Sequence, residues 1–216
     1  MMRRLLWAGA FLLILWWFWP APTPVYEALD GAVRQAPTFN HQLSVDGPPL
    51  QQALDDSPGP FSAGEFLIEP VANFEIEARV LGRKRYRSGV EAELSPLDVA
   101  FGWGPMARPE VLKKIRISQS GRFYRWRVDE FPIPRRDIEQ HSANMHLIPA
   151  SAGIADQIDQ IDPDQFVRLG GYLVNVDRAD GWRWRTSLTR SDTGAGACEI
   201  VLVTRVQPLP DGGRGN

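Results

Sequence analysis

A single cysteine, Cys198, stands among the 216 residues. No intrachain disulfide can form and no Cys-x-x-Cys redox or zinc pattern exists, so the fold must hold by packing. Histidine is nearly as scarce. A general base or imidazole ligand in the C-terminal two thirds has to be His141 or His146. Five residues separate them, which places them on different faces of a helix and opposite faces of a strand. No large excess of one charge is present, the formal net charge being −2, so a polycation that coats nucleic acid is excluded and nucleic acid is not an expected partner. The run Asp192-Thr193-Gly194 has no second copy to complete an aspartic-protease pair. Asp156, Asp159, Asp162 and Asp164 lack the glycine and closing glutamate of a calcium loop. No metal site and no cofactor is expected.

Long uncharged runs are also missing, with one exception. Leu5 to Trp19 carries no charge, follows Arg3 and Arg4, and ends at Pro20, Pro22 and Pro24. Fifteen helical residues reach only about 22 Å of a ~30 Å hydrocarbon core, so spanning also needs residues up to Val25. No small-x-small cleavage site follows, and Trp16, Trp17 and Trp19 suit a lipid–water interface. The segment 1–25 is therefore expected to be a retained transmembrane signal-anchor, with the bilayer as partner through residues 5–25. Arg3 and Arg4 before it, and Glu27 and Asp30 after it, expect a cytoplasmic N-terminus. The domain then faces the periplasm from a bacterial inner membrane.

Residues 26–64 hold five prolines and no sustained apolar period, and read as a Pro-rich linker. Residues 65–206 read as one α+β domain, and 207–216 as a flexible tail. Phe74 to Leu81 alternates apolar and charged residues, the period of a half-buried strand. Lys114–Ser118 and Arg122–Val128 flank Gln119-Ser120-Gly121 as a hairpin, and strands are expected at 166–169, 172–176, 182–185 and 199–203. Ser95-Pro96-Leu97-Asp98 has the cap chemistry of a short helix. A helix or turn is expected over 138–147, and a helix over 152–161 with Ile154, Ile158 and Ile161 on one face. The pair Gly170-Gly171 inside a strand pattern fits a bulge or sheet corner. The expected architecture is a small curved antiparallel sheet or partly closed β-barrel with one or two short helices, preceded by the transmembrane helix.

Two constellations carry chemistry. Cys198 could act as a nucleophile for a hydrolase or transferase if His141 or His146 activates it and Asp192 orients the base, which requires an exposed thiol of lowered pKa. The other is arginine interleaved with aromatics: Arg85, Arg87, Arg122, Arg125, Trp126, Arg127 and Trp184 could stack on flat groups and pair with phosphate or carboxylate. Twelve Lys or Arg against four Asp or Glu lie between Arg79 and Arg127, while residues 155–165 are acidic, which implies a basic and an acidic strip. The leading expectation is a binding or scaffolding module for an anionic envelope polymer or an acidic protein. The alternatives are the Cys198 enzyme and a small oligonucleotide-binding barrel.

The runs Asp98-Val-Ala-Phe-Gly-Trp-Gly-Pro-Met106, Ile117-Ser-Gln-Ser-Gly-Arg-Phe-Tyr-Arg-Trp-Arg127, His141-Ser-Ala-Asn-Met-His-Leu-Ile-Pro149 and Gly181 to Glu199 resemble those of a family of bacterial single-pass membrane-anchored proteins. The resemblance covers about residues 70–205. It implies a bacterial source and one domain, and carries no activity over to any residue.

Overall fold

A computed structural model describes residues 25–29, 31–38, 43–189 and 198–210. Most of the expected transmembrane segment, Asp192 and the end of the expected tail lie outside these residues. No helix among the described residues is long and apolar enough to cross a membrane.

The domain is a mixed α+β structure dominated by one sheet. Its longest strand, β3 (Phe66–Arg85), runs 20 residues. It extends the expected Phe74–Leu81 strand back through Pro70, which falls beside a bulge between Pro70 and Ala72. The extra residue there exchanges the faces of the strand. Phe66 and Ile68 pack on one hydrophobic cluster, whereas Ala72, Phe74, Ile76, Ala78 and Val80 pack on another.

With β4 (Leu97–Gly102), β7 (Ser142–Pro149), β8 (Phe166–Arg178) and β10 (Glu199–Leu209), β3 closes a circuit of pairings. The order is β3–β4–β7–β10–β8 and back to β3, a partly ring-like sheet. Four of the pairings are antiparallel, but β7 and β10 run parallel. One core cluster draws on all five strands and on Ile158 and Ile161. A fully buried Phe, Ile or Leu contributes roughly 1.5–3 kcal/mol, so this cluster is the main source of stability.

The glycine pair sits at a bulge, as its sequence suggests, but the bulge belongs to the partner strand. Register along β8–β10 shifts between Val203 and Arg205. A Cβ at Gly171 would lie 2.0 Å from the Leu202 carbonyl oxygen, so only glycine permits the approach. Beside it, Arg205 crosses over Gly170 to reach the buried Glu75 at 3.1 Å.

Several expectations change. Leu97 to Gly102 is a strand, not the helix suggested by Ser95-Pro96-Leu97-Asp98; the cap residues follow α2 (Val90–Leu94) instead of opening a new helix. The alternation of Leu97, Val99 and Phe101 into the core outweighs local cap chemistry. Residues 138–147 likewise divide between α4 (Arg135–Gln140) and β7, whose strand continues to Pro149. The stretch read as a linker packs on the sheet. Leu29 in α1 (Val25–Leu29), Ala36, Val45, and Phe61 and Ala63 in β2 (Phe61–Ala63) are buried, and β1 (Leu50–Gln52) pairs with β3. Their isolated apolar residues show no period because each fills a separate gap. The helix α5 (Ala152–Asp159) forms as expected, capped by the Ser151 hydroxyl, with Ile158 buried. β10 runs to Leu209, taking in the first residues of the expected tail.

Between β4 and β7 the chain leaves the sheet. The insertion holds a 3₁₀ turn (Gly104–Ala107), α3 (Pro109–Leu112), the hairpin β5 (Arg116–Ser120) and β6 (Phe123–Arg127), and α4. Met106, Val111, Ile115 and Ile138 give it a core of its own, against which Ile117, Trp126, Val128 and Leu81 pack.

Candidate functional site

The hairpin turns on two residues, Gly121 and Arg122, with φ of 57° and 67°. Positive φ at both positions fits the twist of a tight hairpin; glycine takes it freely, whereas arginine is strained there. The turn falls one residue later than the sequence suggests and directs Arg122 inward. The rest of the hairpin alternates, with Ile117, Gln119, Tyr124 and Trp126 facing the domain and Ser118, Phe123, Arg125 and Arg127 facing outward.

Beneath the tip lies one face of β4, β7 and β10. Asp98 on β4 is opposite His146 on β7, and His146 is beside Ile200 on β10. The Asp98 carboxylate is fully buried and accepts three donors: Arg122 Nη1 at 2.6 Å, His146 Nδ1 at 2.9 Å and Asn144 Nδ2 at 3.4 Å. Arg122 Nη1 also donates to the Ser95 carbonyl at 2.9 Å. The guanidinium stacks on Tyr86 at 4.0 Å and stands 5.9 Å from the Trp184 ring, which itself packs against His146 at 4.8 Å. The Tyr86 hydroxyl accepts from Arg122 N, and Gln119 Nε2 donates to Asn144 Oδ1 at 2.7 Å. The Arg122 Nη2 group is buried and has no hydrogen-bond partner among the described residues.

No protein-family model, curated protein or solved structure matches this chain.

Of the residues proposed for nucleophilic catalysis, the fold brings two together. Cys198, the residue before β10, lies by alternation on the face that carries His146, two residues from Ile200 beside it, and the Cys198 Sγ lies 3.9 Å from the Arg122 carbonyl oxygen. Burial pushes the thiol pKa up to about 11, with Glu199 adding to the rise. Such a thiol is protonated near neutral pH, the reverse of an activated nucleophile. His141 is elsewhere, ending α4, where its Nδ1 donates to the Asp137 carbonyl at 2.8 Å. Asp192 lies outside the described residues. The orienting carboxylate of His146 is Asp98, which the sequence reading overlooked. Its signal was present: Asp98 is the one charged residue in Leu97–Gly102, at an alternate position of a buried strand. Asn144, Tyr86 and Gln119 carried no comparable signal, since amides and phenols are common on exposed strands too. Among the described residues, no three His, Cys, Asp or Glu side chains gather closely enough to hold a metal ion.

The arginine and aromatic residues divide three ways. Arg122 and Trp184 belong to the buried cluster, and Trp126 packs into the insertion core, edge-on to Phe131 at 6.0 Å. On β3, Arg79 pairs with Asp164 at 2.9 Å, Arg83 with Asp162 at 3.1 Å, and Arg85 with Asp159. The arginines of β3 and the carboxylates at and after the end of α5 thus neutralise each other within the chain. Arg87, Arg125 and Arg127 are exposed and form no ion pair with a described residue. Phe123 and Phe131 are exposed nearby in the sequence, at 38% and 51%.

Proposed function

We propose that the chain is a binding or scaffolding module for an anionic envelope partner, presented outside the cytoplasm by the N-terminal segment and anchored in a bacterial inner membrane. The partner is an anionic polymer or an acidic protein. The surface that meets it is the outward face of the β5–β6 hairpin, with Arg125 and Arg127 supplying charge and Phe123 stacking area. One observation carries this reading: the arginines of β3 are neutralised within the chain, and Arg116 of the hairpin pairs with Asp129 at 2.6 Å, whereas Arg125 and Arg127 face solvent without a carboxylate among the described residues. Arg85, Arg122, Trp126 and Trp184 have structural partners and leave the set. Binding of polyglutamate, an acidic polypeptide probe, tests the reading. The double variant Arg125→Glu, Arg127→Glu should bind on the order of tenfold more weakly and lose most of its salt dependence. Unchanged binding would remove this surface from consideration.

A second reading rests on the hydrogen bond from His146 Nδ1 to Asp98, which leaves Nε2 as the basic nitrogen on the face that Cys198 shares. In this alternative the pair carries out acyl transfer, with Cys198 as nucleophile. It requires the thiol to react with iodoacetamide in the folded protein near neutral pH. A folded chain that resists labelling until it unfolds would rule it out.

A further inference from the structure

Among the buried groups beneath the hairpin tip, one is arranged unlike the rest. Arg122 is a non-glycine residue held at φ 67°, where glycine would sit without strain. Its side chain lies over Tyr86 at 4.0 Å and before Trp184 at 5.9 Å. Nη1 is occupied by Asp98 and Ser95, yet Nη2, with two N–H donors, is buried and unpaired among the described residues. A buried donor without a partner costs about 1–3 kcal/mol, and the backbone strain adds to that cost. A purely structural tip would avoid both by placing glycine in the turn and an amide opposite Asp98.

We infer that Arg122 is the oxyanion-gripping group of a ligand site between the hairpin tip and the face of β4, β7 and β10. The ligand class follows from the groups that line it. The unpaired guanidinium nitrogen offers donors only, which selects a carboxylate or phosphate oxygen. Trp184, 5.9 Å from the guanidinium, supplies an aromatic surface for a flat or apolar body attached to that anion, the Tyr86 face being taken by the guanidinium itself. Asp98 fixes one edge of the guanidinium and leaves the other for the ligand. The tip is the part that admits it, because the hairpin is anchored by apolar packing at its base, through Ile117 and Trp126, and at its tip by the hydrogen bonds of Gln119 and Arg122 and the stacking of Arg122 on Tyr86. The tip therefore has less apolar burial to lose than the base when a ligand enters. This site faces inward and is independent of the outward surface proposed above.

The test titrates the full-length chain in detergent micelles with inorganic phosphate and, separately, with benzoate, at ionic strength held constant by chloride. The readout is the thermal unfolding midpoint, which a ligand specific to the native state raises in a saturable way. At least one probe should stabilise the wild type, and which one does so separates the phosphate from the carboxylate class. Arg122→Gly suits the turn but leaves Asp98 without its cation, so the decisive variant is Arg122→Gly with Asp98→Asn, which removes both charges. It should bind the effective probe on the order of 10- to 100-fold more weakly. Arg183→Gln, an exposed cation next to Trp184, should respond like the wild type. The inference fails if neither probe raises the wild-type midpoint, if the double variant responds as the wild type does, or if Arg183→Gln abolishes the response.

Discussion

The ring-like sheet and strand β6 of the insertion treat their cations in opposite ways. On the sheet, Arg79, Arg83, Arg85, Arg168 and Arg205 each meet a carboxylate of the chain, and the Glu75 and Glu77 partners are themselves buried. On β6, Arg125 and Arg127 meet none among the described residues, although Arg116 and Arg135 of the same insertion pair with Asp129 and Glu139. Charges committed to intramolecular pairs position strands; uncommitted charges beside exposed aromatics are available to something else. Arg122 stands at the seam, reaching from the insertion into the sheet to neutralise Asp98.

Removing that seam should produce the largest effect. Arg122→Gly keeps a favourable turn but leaves a fully buried carboxylate without its cation, a loss of about 3–5 kcal/mol. Chemical denaturation measures it, and most of the loss should return in the double variant with Asp98→Asn. A smaller loss for Arg122→Gly alone would mean that His146 and Asn144 suffice for Asp98.

Gly171→Ala probes the sheet alone. Its Cβ would meet backbone at 2.0 Å, which no rotamer relieves, so about 3 kcal/mol or more should be lost in the same experiment. At Gly170 the obstacle is the far end of Arg205, which can move, and the cost should be nearer 1 kcal/mol. Equal losses at the two glycines would contradict the bulge geometry.

Cys198 lies at the edge of the seam and reports on its closure. The folded thiol titrates near 11 rather than its ordinary 9.0, so on alkalinisation the unfolded chain loses its proton first. The stability gained by keeping a neutral thiol is complete below pH 9 and drains away as pH rises towards 11. Labelling of the native protein should therefore lag behind that of the unfolded chain between those values. Coincident curves would show that the tip does not cover the thiol.

The smallest effect is a minor loss. The Tyr124 hydroxyl is buried beneath the hairpin beside Ser142, whose hydroxyl donates to the Ile138 carbonyl and keeps its oxygen to accept from the phenol. Tyr124→Phe removes that one neutral hydrogen bond and should lower stability by about 1 kcal/mol or less. A gain would show that the phenol has no partner.

The sheet was more legible than the site. Period-2 alternation in Phe74–Leu81, the Gly170-Gly171 pair and the runs on either side of the hairpin turn each map onto a strand or a bulge. Leu97–Gly102 alternated as clearly, yet Ser-Pro-x-Asp is a strong local cap signal, and only pairing with β3 and β7 decides between them. The outward arginines of β6 followed from alternation, whereas the inward turn of Arg122 depends on a positive φ that nothing in its neighbours demands beyond Gly121. The pairing of Arg79, Arg83 and Arg85 with Asp164, Asp162 and Asp159 links residues about eighty positions apart, a distance over which local pattern carries no information.

The contrast between the two regions is tested most directly by polyglutamate binding of two double variants of the full-length chain, measured side by side. Arg83→Gln with Arg85→Gln removes two cations from the sheet, and Arg125→Gln with Arg127→Gln removes two from the hairpin, so the change in net charge is the same. The hairpin pair should weaken binding several-fold and the sheet pair should leave it unchanged. Equal weakening by both pairs would show that the probe responds to overall charge and that the hairpin face has no special role.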